Sequence, residues 1–433
     1  MRSVLRNPAF RRLFLGRLVT NAGDSLYYVA ATWLVYDLTG SSFYTGLATF
    51  LVLGPAAFQF LFGPLVDRWP LRRVLVGTQV AQMLLVLVIP LAWALDLLSV
   101  WLLLVVMPLL SLLNQPVYPA ESAALPRIVA RDELVAANSA FSVAYQGVDA
   151  AFNALGGLLV ALVGAVTLFL VDSVTFAVAA LLFLGLRIPA ASGGGSATTG
   201  DSTGDDPSDP VEASVAADGG ADRPAGESYL DSLRAGFALV RGTVVSRAMA
   251  ATVVANASIG GVLAVLPAYG DALGGEVAYG LAMAAIGGGL LVGALVAGSF
   301  DDRPLGRMLI AGSSFSAATW ALAVVLGWFP VTVPLLAAAF VPVGVTNVLF
   351  VSMMQALVPA ASLGRVMALA GSISAGATPV GGLLGGTLAA VTSPALVMFG
   401  GSIGFAFIAA FVLAVPELRR LPRVADVETL AVE

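Results

Sequence analysis

The sequence predicts an all-α membrane protein with twelve transmembrane helices in two six-helix bundles, and three observations support this prediction. Of its 433 residues, 59% are hydrophobic and only 11% are charged, whereas a soluble domain carries about 25% charged residues. Apolar runs of about 20 residues, the length that crosses a bilayer, recur along the whole chain. A short motif that occurs twice along the chain is consistent with two halves.

Apolar runs bounded by charged residues, proline and glycine define the predicted helices. Their long uninterrupted stretches exclude a transmembrane β-barrel, in which apolar and polar residues alternate. The first six runs form a predicted N-terminal bundle (1–187) and the last six a C-terminal bundle (230–433). The twelve runs lie near residues 13–36, 43–66, 74–95, 98–119, 137–163, 167–187, 247–270, 277–299, 308–328, 332–356, 366–391 and 395–415.

Residues 188–229 connect the two predicted bundles and differ from them in composition. This segment is rich in Gly, Ser, Asp and Pro and holds eight acidic residues against a single basic one, Arg223. It lacks the apolar residues from which a core is built. We therefore expect an acidic, disordered linker on the cytoplasmic side.

The placement of arginine predicts the orientation of the chain. All 21 basic residues are arginine, and all but Arg17 fall near the termini or in connections that follow even-numbered runs. Basic residues in short connections stay on the cytoplasmic side of a membrane. We expect a multi-pass protein of the cell membrane with both termini in the cytoplasm.

The composition also excludes several kinds of chemistry. The chain has no cysteine and no histidine, which excludes thiolate catalysis, disulfides, haem ligation and the usual zinc sites. It has no Gly-rich phosphate loop ending in Gly-Lys-Ser/Thr, and its arginines are not interleaved with aromatic residues as on a nucleic-acid surface. We expect no cofactor, no metal site, no enzymatic activity and no nucleic-acid partner.

A short motif with the same spacing occurs once in each half. GPLVDRWPLRR follows the second run and GSFDDRPLGR follows the eighth. The doubled motif resembles the cytoplasmic loop signature of the major facilitator superfamily, which lies between helices two and three and again between helices eight and nine. The matching residues are Gly63, Asp67, Arg68, Arg72 and Arg73 in the first copy and Gly298, Asp302, Arg303 and Arg307 in the second.

Other segments are similar to one branch of that superfamily, the enterobactin-type siderophore exporters and macrolide efflux proteins. They are LRNPAFRRLFLGRLVTNAGDSLYYVA, LPRIVARDELVAANSAFS and FLVDSVTFAVAALL. The resemblance implies a secondary transporter whose two bundles rock around a central cavity lined by helices one, four, seven and ten. The chain departs from the proton-linked drug antiporter pattern, because its fourth run lacks arginine and Phe152-Asn153 replaces Gly-Pro in the fifth.

The doubled motif also has a direct physical interpretation. Gly63 permits close approach of another helix, and Asp67 can lie at a helix N-terminus, where the helix dipole favours negative charge. With the arginines of both copies, these residues predict a latch that closes the cytoplasmic side. The resemblance implies that Asp67 meets the start of the eleventh helix near Arg365. The alternative is that these charges only fix the orientation of the chain.

The first run carries a polar stripe. Arg17, Asn21, Asp24 and Tyr28 lie on one helical face, and Asp24 lies about 16 Å into a hydrocarbon core of ~30 Å. Charges at that depth are expensive and usually functional. Asp24 is therefore a candidate coupling residue, with structural hydrogen bonding as the alternative. Arg17 is close enough to the membrane surface to be interpreted as an interfacial anchor.

The fifth run repeats this spacing with Ser142, Gln146, Asp149 and Asn153. Asp149 lies at a similar depth and is the second coupling candidate, since two neighbouring carboxylates can share a proton. Asp172, nearer the outer end of the sixth run, is expected to make structural hydrogen bonds.

The C-terminal half offers amides rather than acids. Asn256 and Asn347, together with Asn21 and Tyr28 of the first run, are candidate residues of the substrate cavity. The amides are equally suited to holding helices together.

These observations predict a secondary active transporter that exports an amphipathic organic compound, drug- or siderophore-like, by alternating access, with protons as the candidate coupling ion. The alternatives are an uptake permease or a lipid transporter of the same fold and, from another class, a non-transporting membrane sensor. The expected partners are a small-molecule substrate, protons and the lipid bilayer, and we expect a monomer.

Overall fold

All regular elements of the described chain are helices, which confirms the predicted fold class. The structure is a computed structural model that describes residues 4–62, 66, 69–130, 133–189, 241–300, 302–358, 360–423 and 426. Almost the whole predicted linker and the motif residues Gly63, Asp67 and Arg68 lie outside these ranges.

Among the described residues, seven α-helices form the N-terminal half. They are α1 (Pro8–Thr39), α2 (Ser42–Leu53, continued by a 3-10 helix at Gly54–Leu61), α3 (Leu71–Ala94), α4 (Val100–Asn114), α5 (Val117–Ile128), α6 (Leu134–Val163) and α7 (Ala165–Leu184). The predicted fourth span is therefore divided between α4 and α5 at Gln115 and Pro116. Both residues keep helical backbone angles, but proline lacks the N–H of a regular helical hydrogen bond.

The C-terminal half is built from α8 (Val244–Val296), α9 (Leu305–Leu326), α10 (Phe329–Leu357), α11 (Ala360–Val391), α12 (Pro394–Ala414) and the short α13 (Pro416–Arg419). Helix α8 covers both the predicted seventh and the predicted eighth span. The chain reverses direction between these two spans at Gly274 and Gly275, whose backbone angles are not helical. Within the described residues, seven helical segments are long and apolar enough to cross a membrane by length and composition. The count of twelve spans stays a prediction.

Polar caps hold the N-terminal half together at the end where α1 begins, which we call the terminal end. The side chain of Asn7 accepts from the backbone of Ala9 (2.9 Å) at the start of α1 and donates to the Ile128 carbonyl (2.7 Å) at the end of α5. Arg12 donates to the carbonyl of Gly185, just beyond α7. Cations suit the carbonyl-rich C-terminus of a helix, so these contacts hold α1, α5 and α7 together there.

The C-terminal segment performs the same task in the other half. Arg247 and Glu417 form an ion pair of 2.6 Å between α8 and α13. The backbone N–H of Leu305 donates to the carbonyl of Pro422 at 3.0 Å, so residues 416–423 cover the start of α9. The pKa of Glu417 lies below its usual range because its own backbone N–H, and then Arg247, donate to its carboxylate.

The two halves meet at the opposite end, which we call the far end. The Tyr36 hydroxyl donates to Asp271 at 3.1 Å, and the Thr45 hydroxyl donates to the carbonyl of Ala264 at 2.5 Å. Gly157 of α6 and Gly280 of α8 touch through their backbones, since a Cβ on Gly157 would lie 2.1 Å from the Gly280 oxygen. The described hydrogen bonds between the halves thus lie toward the far end.

Candidate functional site

A cavity of about 630 Å³ lies between the two halves. Its wall from the N-terminal half combines apolar residues such as Leu110 and Phe176 with polar residues that include Asp24, Asp149, Asp172, Gln82, Ser111 and Asn114. Its wall from the C-terminal half is apolar except for Asn347, and includes Leu263, Ile286, Leu290 and Phe340. Such a cavity can hold an amphipathic molecule with its polar group toward α1 and its apolar body toward α8 and α10.

Helix α1 organises the two carboxylates that the sequence singles out. Asn114 of α4 donates to Asp24 at 3.2 Å. Asp149 of α6 accepts from Asn21 at 2.8 Å and from Ser25 at 3.0 Å, and both donors belong to α1. The polar stripe of α1 thus carries Asp24 and holds Asp149, and each carboxylate has its own hydrogen-bond donors. Asn21 acts there by holding Asp149, and it is not among the residues that line the cavity.

Asp172 of α7 is a third carboxylate in this cavity, and the sequence interpretation did not assign it there. Its side chain is buried, with 1% exposure, and accepts from Thr175 at 3.2 Å. The expected structural hydrogen bond therefore exists, but it accompanies a place in the cavity wall. Gly23 makes this possible, because a Cβ at that position would lie 2.3 Å from the Asp172 carboxylate.

Arg17 is not an interfacial anchor, and this sequence interpretation is wrong. Its guanidinium is buried and forms an ion pair of 2.7 Å with Glu121 of α5. Tyr145 of α6 donates to the same carboxylate, and its ring lies 5.5 Å from the guanidinium carbon. A guanidinium this deep requires a carboxylate partner. Glu121 was missed because the predicted fourth span stops at residue 119, whereas α5 continues to Ile128.

Of the remaining candidate residues for the substrate cavity, two line the cavity and one does not. Tyr28 and Asn347 line the cavity. Asn256 does not, which departs from the prediction: its amide donates to the Thr252 carbonyl at 3.0 Å and to the Ser374 hydroxyl at 3.3 Å. This amide thus connects α8 to α11 instead of facing the cavity.

The predicted latch is described only in part. Arg72 donates to the carbonyl of Leu184 at the end of α7, within its own half. The second copy of the motif lies at the junction of α8 and α9 with exposed side chains at Asp302, Arg303 and Arg307, and Gly298 lies in the 3-10 helix Ala297–Phe300. Because Gly63, Asp67, Arg68 and the Arg365 side chain lie outside the described residues, the latch stays a prediction.

An all-helical membrane protein with a large central cavity between two halves has the architecture of a transporter. The family model for the Major Facilitator Superfamily matches residues 13–378. The chain therefore belongs to the Major Facilitator Superfamily, as the doubled motif predicted.

Comparisons with individual proteins agree with this assignment. The multidrug efflux pump Tap, from Mycobacterium tuberculosis and Mycobacterium bovis, is 29% identical over 197 residues, which are 44% of this chain and 47% of Tap. The match thus spans about half the length of these curated relatives. Membership of the enterobactin-exporter and macrolide-efflux branch stays a prediction.

Several solved transporters share the fold. The nucleoside transporter NupG superposes with a TM-score of 0.65 at 13% identity, covering 94% of this chain and 98% of its own. A bacterial homologue of the human lysosomal transporter Spinster, inward-facing and unoccupied, superposes with a TM-score of 0.63 at 12% identity, covering 95% of this chain and 97% of its own. At these identities the likeness shows the fold alone.

Proposed function

We propose that this protein is a secondary active exporter of an amphipathic organic compound that works by alternating access. The observation that carries the proposal is the central cavity, which has carboxylates on one wall and apolar side chains on the other. Parallel halves around one midplane site are the arrangement in which rocking exposes that site to each side in turn.

The conformation supports loading from the cytoplasm. If the termini are cytoplasmic, as the arginines predict, the contacts at the far end close the extracellular side. Cavity residues such as Leu53, Asn114 and Val348 come from the halves of their helices nearer the terminal end. The cavity then extends toward the cytoplasm, where an exporter takes up its substrate.

The direction of transport is supported by similarity. The curated relative Tap is an efflux pump, and the sequence resembles an export branch of the superfamily. An uptake permease and a lipid transporter of the same fold are the alternatives, and the experiment below separates the exporter from the permease.

Asp24 and Asp149 are the proposed coupling residues. Both lie in the cavity and are held by amide and hydroxyl donors instead of arginines. A carboxylate in a low-dielectric site that is not hydrogen-bonded to a cation carries a charging cost. Either a proton or a positively charged substrate group relieves that cost, which is the requirement for exchange of one against the other.

Transport by the purified full-length chain in vesicles of known orientation tests this proposal. Inside-out vesicles should accumulate amphipathic dyes from a mixed cationic, neutral and anionic panel when the lumen is acidic, with protein-free vesicles as control. Accumulation confined to right-side-out vesicles would favour the permease. Saturable binding without accumulation in either preparation would favour the sensor.

Gly157→Ala is expected to separate the halves at the far end, because its Cβ would lie 2.1 Å from the Gly280 carbonyl oxygen. Spin labels placed at Leu97 and Val391, which are 69% and 77% exposed and lie on opposite halves at that end, should move apart. The chain has no cysteine, so labelled cysteines can be introduced directly.

Gly147→Ala is the matched control, since it makes the same change in the same helix and nothing lies within 4 Å of the added Cβ. It should leave the label distance as in the parent protein. If both variants lengthen the distance, or if neither does, the backbone contact between α6 and α8 does not hold the far end closed.

A further inference from the structure

We propose that the cavity selects organic cations that carry an N–H donor, and that Tyr27 is the residue that sets this preference. The inference rests on the proposed transport function and names the substrate class for the same cavity. A preference for such cations would distinguish between the two substrate classes that the sequence leaves open, drug-like and siderophore-like compounds.

The charge of the cavity lining is the first observation. Asp24, Asp149 and Asp172 line it, and none of the lining residues described is basic. The deep cation nearest to them along α1, Arg17, already pairs with Glu121 at 2.7 Å. Carboxylates in a low-dielectric site favour a cation and repel an anion.

The hydrogen-bond inventory shows that two of these carboxylates have spare capacity. An ionised carboxylate offers about four lone-pair sites. Among the described residues, Asp24 accepts from Asn114 and Asp172 accepts from Thr175. The Thr175 hydroxyl also donates to the backbone carbonyl of Asp172 at the shorter distance of 2.7 Å. Asp24 and Asp172 can therefore accept further donors from a bound molecule.

Tyr27 supplies an independent observation that points to a ligand. Its side chain lines the cavity and is 7% exposed, and its ring packs edge-on against Phe169 with centroids 5.8 Å apart. Its hydroxyl oxygen is buried without a hydrogen-bond partner in the described part of the chain. Leaving such a group unpaired costs about 1–3 kcal/mol, so this hydroxyl in the cavity wall favours a ligand that can bond to it.

The position of Tyr27 suits an ammonium N–H. It follows Asp24 by three residues on α1, so the two side chains share a face. A protonated primary or secondary amine carries at least two N–H groups, so one can donate to the carboxylate and another to the Tyr27 oxygen. A quaternary ammonium or phosphonium ion has no such donor. The apolar wall at Leu263, Ile286 and Phe340 accommodates the remaining hydrocarbon.

Tetraphenylphosphonium and tetraphenylborate test the charge preference, because they share shape and size and differ in sign. Equilibrium dialysis with the purified full-length protein should show saturable binding of tetraphenylphosphonium alone. Asp24→Asn and Asp172→Asn should each weaken it severalfold, whereas Asp96→Asn should not: Asp96 lies in the loop after α3 with a φ of 57°, which Asn adopts readily. Equal binding of the two ions, or binding insensitive to both cavity variants, would overturn the cation site.

N-methyldodecylamine and N,N-dimethyldodecylamine, both kept protonated, test the role of Tyr27, because each has an N–H for the carboxylate and only the first has a second N–H for Tyr27. We expect the protein to bind the secondary amine about tenfold more tightly, the value of one charge-assisted hydrogen bond. Tyr27→Phe should reduce this ratio to about one, whereas Tyr118→Phe, at a site 55% exposed on α5, should retain it. An unchanged ratio in Tyr27→Phe overturns the specificity role, and so does complete loss of tetraphenylphosphonium binding, since the residue would then be structural.

These binding results and the transport proposal can fail separately. Vesicles that export only neutral or anionic dyes would leave the exporter proposal standing and overturn the cation preference. Selective binding of tetraphenylphosphonium and of the secondary amine, with no accumulation in any vesicle, would overturn the exporter proposal and leave the cation preference standing.

Discussion

Asp24→Asn is expected to abolish uphill transport driven by a pH gradient in reconstituted vesicles while leaving downhill substrate exchange measurable. The Asn side chain keeps the shape of Asp24 and a bond to Asn114, but it cannot gain or lose a proton. Transport without a proton step can only follow the gradient of the substrate itself. The measurement is the accumulation ratio with and without an imposed pH difference, alongside exchange at equal pH.

Asp96→Asn is the control for this variant, because it makes the same chemical change outside the cavity and should accumulate substrate as the parent does. Asp149→Asn should reduce accumulation less than Asp24→Asn, since Asn21 and Ser25 already satisfy that carboxylate. Undiminished pH-driven accumulation by Asp24→Asn would refute its role in coupling. A parent protein indifferent to pH would instead indicate another ion or facilitated diffusion.

Glu121→Gln is expected to lower the free energy of unfolding by about 3–5 kcal/mol, the usual cost of leaving one member of a buried ion pair without its partner. Arg17 would remain buried at 7% exposure with only neutral partners at Tyr145 and Thr20. Thermal unfolding in detergent, followed by the loss of monodisperse protein, measures the effect. The double variant Arg17→Glu with Glu121→Arg should recover part of the loss, because the pair is restored with its charges exchanged.

Glu417→Gln provides a matched comparison, since it breaks the ion pair with Arg247 at the exposed terminal end. Exposed pairs are screened by solvent, so this variant should change stability far less than Glu121→Gln. Equal losses in the two variants, or a double variant no more stable than Glu121→Gln, would show that the buried pair does not hold α1 and α5 together.

The sequence alone was sufficient for the all-helical class and for the superfamily. Both depend on properties that each segment carries by itself: apolar runs long enough for a bilayer, and motif residues at fixed spacing near Gly63 and Gly298. Helical periodicity also placed Asp24 and Tyr28 on one face of α1, because 3.6 residues per turn relate neighbours on a helix without reference to the rest of the fold. Both residues line the cavity.

Only the tertiary structure decided which polar groups meet. Arg17 pairs with Glu121, 104 residues away, and Asn21 pairs with Asp149, 128 residues away. Such partners depend on how each helix is rotated about its axis and how closely its neighbours approach, and small residues such as Gly23 control that approach. The same rotation turns Asp172 toward the cavity and Asn256 toward α11. Hydropathy records how apolar a helix is, whereas packing against its neighbours decides which side chains face the cavity.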